Sequence, residues 1–65
     1  MDYPPNVVAI QPGTKWTGGG PENVKPVLFI TIDPPLPVIP AATSRWIEKY
    51  RDERHPGFSI EYRNG

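Results

Sequence analysis

The sequence predicts a small α+β domain: a three-stranded, mostly antiparallel sheet with one helix, in the order β–β–α–β, joined by long proline- and glycine-rich connections. Three observations carry this reading. Two short runs rich in β-branched residues, Asn6–Ile10 and Val27–Ile32, are bounded by prolines and turn residues. Between Ala41 and Arg54, apolar residues recur at helical spacing. From Phe58 to Arg63 they alternate with polar ones, as along a half-buried strand.

Asn6–Ile10 (NVVAI) lies between Pro5 and the turn signal Gln11-Pro12-Gly13. Residues 13–26 read as a Gly/Pro loop around Thr17-Gly18-Gly19-Gly20-Pro21. Val27–Ile32 is the most apolar run in the chain. Neither of its faces, Val27/Phe29/Thr31 or Leu28/Ile30/Ile32, is polar, which predicts cover on both sides: the helix on one, a partner on the other. Self-association is one form such cover takes. Pro26 opens this strand and Asp33-Pro34-Pro35 ends it, because proline cannot donate to a ladder.

Residues 33–40 then form a crossover like a polyproline II helix. Pro34, Pro37 and Pro40 recur every third residue and so share one edge. The helix runs from Ala41/Ala42 to Arg54, with Pro40 suited to a first turn; a later start, with Thr43 or Ser44 as N-cap, fits equally. Thr43, Trp46, Ile47 and Tyr50 form its apolar stripe, and Arg45–Glu48, Glu48–Arg51 and Lys49–Glu53 pair on the wet side. His55-Pro56-Gly57 ends it. Phe58–Arg63 is expected as an antiparallel strand with Phe58, Ile60 and Tyr62 inward and Ser59, Glu61 and Arg63 outward. The expected core is Val8, Ile10, Leu28, Ile30, Trp46, Ile47, Tyr50, Phe58, Ile60 and Tyr62.

Composition narrows the function. A chain of 65 residues makes a single small domain, 1–65, and buries only ~60% of its unfolded surface. It has no Cys to staple it, and seven basic residues balance seven acidic ones. Charge near zero speaks against a polyanion-binding tail. No apolar run reaches the ~20 residues of a membrane span, and MDYPPN lacks the basic and apolar regions of a signal peptide. The expected location is the cytoplasm or the interior of a viral or multi-protein assembly.

Catalytic chemistry finds little to stand on. His55 is the only imidazole, and with Asp52 and Glu53 it sits at a helix end where adjacent positions diverge; the expectation is a solvated His favoured by the helix dipole. Ser44 and Ser59 lie outside any nucleophile elbow. The glycine run lacks the Lys and Ser/Thr that a phosphate loop places after its last Gly. Aromatic–basic neighbours such as Lys15-Trp16 and Tyr62-Arg63 suit single-strand stacking, but without excess positive charge nucleic-acid binding ranks last. The chain reads as non-enzymatic, with no catalytic residue, metal or cofactor.

Leu36-Pro37-Val38-Ile39-Pro40 resembles the apolar core of SH3-domain ligands, without the flanking basic residue: positions 34 and 42 are Pro and Ala. The C-terminal half, an amphipathic helix followed by Pro56-Gly57-Phe58 and an alternating strand, is similar in layout to small phage proteins that inhibit host RNA polymerase. That resemblance implies an inhibitor that docks on a larger protein.

These readings converge on a non-catalytic module that docks on a larger protein as inhibitor, adaptor or accessory subunit. The alternative is a structural component of a multi-chain assembly such as a viral particle. Two surfaces compete for the partner. One is Leu36, Val38 and Ile39 on the proline segment, backed by a mobile Trp16. The other is the sheet edge at Ser59, Glu61 and Arg63, open to an added strand.

Overall fold

The computed structural model describes residues 3–65. The elements are β1 (Val7–Trp16), β2 (Val24–Ile32), α1 (Ala41–Arg54) and β3 (Ser59–Asn64). They build a three-stranded sheet in the spatial order β1-β2-β3 with the helix as crossover. β1 and β2 pair antiparallel from Val7↔Ile32 to Trp16↔Val24. β3 pairs with β2 in parallel, from Val27↔Ser59 to Ile32↔Asn64. The sheet is therefore mixed, and the expectation of an antiparallel Phe58–Arg63 strand is corrected. The reason lies in the connection. A fourteen-residue helix carries the chain back along β2, so the next strand starts at the end where β2 started.

β1 is longer than the sequence suggested. It runs through Gln11-Pro12-Gly13 to Trp16, and the loop shrinks from 13–26 to 17–23. Pro12 is tolerated because of where its nitrogen points. Thr17 N–H donates to Asn23 O and Asp33 N–H to Asn6 O, so the odd-numbered residues of β2 and their partners exchange hydrogen bonds. Pro12 faces Leu28 in a non-hydrogen-bonded pair, its nitrogen turned to the open edge. Pro26 is accommodated likewise: its nitrogen faces the β3 side, where β3, starting opposite Val27, has not begun.

The turn falls on the glycines instead. Gly18 and Gly19 take φ of 96° and 83°, the left-handed region that favours residues without a Cβ. Thr17 Oγ1 donates to Asn23 O at 2.9 Å, Asn23 Nδ2 to Gly18 O at 2.9 Å, and Trp16 Nε1 to Gly20 O at 3.0 Å. Trp16 is thus tied to its own loop, not loose beside the proline segment.

The core lies between the helix and one sheet face: Val7, Leu28, Ile30, Ile32 and Ile47 are buried, with Ile10, Leu36, Ile39, Trp46, Tyr50, Phe58 and Ile60 packed around them. Two expected members, Val8 and Tyr62, are exposed at 55% and 36%. Val8 misses the core because a register shift between Val7 and Ala9 inserts one residue into β1 and exchanges its faces. Val7 and Ile10 then point to the helix side together, which strict alternation forbids. Asn6, at φ 70°, precedes this irregularity, and its Nδ2 donates to Pro34 O at 3.0 Å. Asn reaches this region more easily than other non-glycine residues.

The helix begins at Ala41 behind Pro40, without a side-chain cap; Ser44 N–H donates to Pro40 O at 3.0 Å. Thr43 is buried inside the helix, so the later start is not used. Ile47 is its one fully buried large side chain. Arg51 and Arg54 occupy the last turn, where cations suit the dipole, and Arg51 Nη1 donates to Phe58 O at 3.2 Å, tying the helix to the residue just before β3.

Ile47→Ala should cost about 2–5 kcal/mol and strip much of the stability of so small a domain. Val8→Ser should stay within about 0.5 kcal/mol, as an exposed position does. Urea unfolding followed by Trp fluorescence reads both. A core-sized loss at Val8 would show that β1 alternates without a bulge.

Candidate protein-interaction edge

Three stretches of backbone border the sheet, and the chain treats them differently. Along β1, Pro12 removes a donor and the Val7–Ala9 irregularity bends the strand; both block an added strand. The part of β2 that extends beyond β3 carries Pro26. β3 has neither a proline nor a bulge.

The orientation of β3 follows from one hydrogen bond. Gly65 N–H donates to Ile32 O at 2.8 Å, so in a parallel ladder the odd-numbered residues of β3 face β2. The N–H and C=O groups of Ile60, Tyr62 and Asn64 therefore point away from the sheet. Side chains divide the other way. Ile60 and Tyr62 lie on the helix side, and Ser59, Glu61 and Arg63 on the opposite face.

That opposite face covers itself. Arg63 holds its guanidinium carbon 3.8 Å from the centroid of the Phe29 ring. Lys15 Nζ donates to Glu61 Oε2 at 3.0 Å, with both groups substantially exposed. Lys15 is level with Lys25 and Glu61 with Phe29, so this pair spans the central strand over Val27, which is 1% exposed. The bridge itself contributes at most about 1 kcal/mol; its role is to close the face. The chain's own side chains thus bury Val27, while Phe29 and Thr31 on the same face stay half-buried. Gly13 makes room for the Phe29 ring: a Cβ there would lie 2.7 Å from Phe29 Cε2.

The proline segment does not form the continuous surface its sequence promised. It bends at Asp33–Pro34 and again at Pro37–Val38, not running as a straight polyproline II rod. The second bend turns Leu36 and Ile39 onto the core and leaves Val38 outside at 77% exposure. Trp16, 60% exposed, sits across from Val24, 51% exposed, at the far hairpin end. The seven residues singled out from sequence thus fall in three places. Only Ser59, Glu61 and Arg63 share a strand.

His55 is corrected as well. It is half-buried at the helix C-cap, its ring 6.2 Å from Tyr50 and 5.1 Å from Phe58 between centroids. It continues an aromatic row that starts with Tyr3 edge-on to Trp46 and Trp46 stacked on Tyr50 at 5.4 Å. Arg54 lies 4.9 Å over the Tyr50 ring. Sequence reading missed Gly13, Phe29 and the outward backbone of Ile60, Tyr62 and Asn64. The available signal was the absence of proline from residues 57–65. Among the described residues no group of three or more His, Cys, Asp or Glu is placed to hold a metal ion, and no helix is long and apolar enough to cross a membrane.

Amide exchange at low micromolar concentration should be slow at Glu61, Arg63 and Gly65 and fast at Ile60, Tyr62 and Asn64; the reverse would mean β3 is paired on its outer side. Gly13→Ala should cost about 1–3 kcal/mol, and most of that cost should vanish in a Phe29→Ala background. Equal costs in both backgrounds would remove Phe29 as the cause.

No protein-family model, curated protein or solved structure matches the chain.

Proposed function

We propose that the protein is a non-catalytic binding module that docks on a larger protein by adding its β3 edge to the partner's structure. The observation that carries this reading is the asymmetry of the sheet borders: proline and a bulge block β1, Pro26 blocks the β2 extension, and among the described residues no strand pairs with the outer side of β3. An open edge offers main-chain hydrogen bonds in register, the basis of recognition by strand addition. Side chains that a catalytic reading would draw on serve packing here. His55 lies tilted between two rings, and Glu61 is engaged by Lys15.

Between the two surfaces weighed from sequence, the structure favours the edge. Leu36 and Ile39 face inward, which leaves Val38 alone on the proline segment. An inhibitor, an adaptor and a structural subunit of an assembly all use such an edge in the same way.

The test is capture of partners from a lysate of the source cells on immobilised protein, read by mass spectrometry. Tyr62→Pro removes one outward N–H and leaves the inner ladder intact; Tyr62→Thr controls for the lost ring. Capture should survive Tyr62→Thr and Val38→Asp and drop about tenfold or more with Tyr62→Pro. The amide spectrum of each variant verifies its fold. Capture that persists with Tyr62→Pro would sink the edge reading, and loss with Val38→Asp alone would move the site to the proline segment.

A further inference from the structure

We infer that the β3 edge pairs with the β3 edge of a second copy, antiparallel about a two-fold axis at Tyr62, making one continuous six-stranded sheet. The inference rests on the edge reading above: the same open edge, when no larger partner holds it, takes a second copy. Two independent constraints select it.

The first is hydrogen-bond parity. Ile60, Tyr62 and Asn64 are the residues whose backbone groups face outward, as the Gly65–Ile32 bond fixes. In an antiparallel pair, outward-facing residues must meet outward-facing residues. Symmetric registers therefore bring even-numbered residues together, and neighbouring choices differ by a two-residue step.

The second is charge. With Tyr62 opposite Tyr62 of the other copy, Ile60 lies opposite Asn64, and Glu61 lies opposite Arg63, twice by symmetry. Glu61 and Arg63 then occupy non-hydrogen-bonded positions, where facing side chains come closest. The step to one side centres the axis on Glu61 and sets Glu61 against Glu61. The step to the other centres it on Arg63 and sets Arg63 against Arg63. Only the Tyr62-centred register of the three pairs opposite charges, and its isologous contact closes on itself without propagating to fibres.

The contact extends a face that is already capped. Glu61 is held by Lys15 and Arg63 by Phe29, so each brings a partly ordered side chain to the pairing. The edge is six residues long, a small interface, and association is expected at about 100 μM and not at nanomolar concentration.

Sedimentation equilibrium over about 10 μM to 1 mM tests this on the full chain. The wild type should pass from 7.3 kDa to twice that mass. E61R and R63E each place like charges in opposition and should weaken association by about tenfold or more. An equimolar mixture of the two should recover it, because one chain then presents two Arg and the other two Glu; the double variant E61R/R63E should associate as the wild type does. Amide spectra exclude unfolding as the cause, and recovery on mixing excludes it again. A wild type that stays monomeric to 1 mM overturns the second copy as occupant, while the effect of Tyr62→Pro on lysate capture still decides the edge reading. A dimer insensitive to the single charge variants overturns the register. A dimer insensitive to Tyr62→Pro forms through another surface and overturns the β3–β3 pairing, while lysate capture still decides the edge reading.

Discussion

Everything in this fold is arranged around β2. Its residues Leu28, Ile30 and Ile32 sit at 2% exposure or less under the helix, and Val27 on the other face is as deeply buried. A strand apolar on both faces must be covered on both, and one with neighbours on both sides must have its backbone paired on both. A short chain has few elements with which to meet these demands. One helix covers one face; an ion pair, an aromatic ring and an arginine cover the other. β1 takes one edge of the strand and β3 the other.

Proline placement follows from the same constraint. A proline inside a strand costs a ladder hydrogen bond only if its nitrogen faces a neighbour. Pro12 and Pro26 both sit in strands, and both turn their nitrogens where no strand lies. Each is thereby compatible with the sheet and also a block to further pairing. Proline thus stands on the β1 border and on the β2 extension, and none stands on β3.

Much of the architecture was legible. Ala41–Arg54 as the helix, Val27–Ile32 as the core strand and Phe58–Arg63 as a late strand follow from periodicity, which reports the face each side chain takes. Leu28, Ile30 and Ile47 were identified as core on that ground, and they are. Periodicity fails where the backbone is irregular. The bulge at Val8 exchanged the faces of β1, and no residue pattern announces a bulge between two valines and an alanine. The edge was legible as Ser59, Glu61 and Arg63, yet its hydrogen-bonding groups belong to Ile60, Tyr62 and Asn64. Side-chain alternation and backbone alternation are separate properties of a strand, and which backbone groups face out depends on the neighbour.

The sequence by itself determined the order of elements and the two-faced character of β2, because these rest on local sterics and on the solvent preference of each side chain. Only the tertiary structure decided that β3 runs parallel, that Gln11-Pro12-Gly13 is strand and not turn, and that Leu36 and Ile39 point inward while Val38 does not. Those outcomes depend on which strand lies beside which and on how much apolar surface remains to be buried once the sheet has formed. Such quantities do not exist until distant parts of the chain meet.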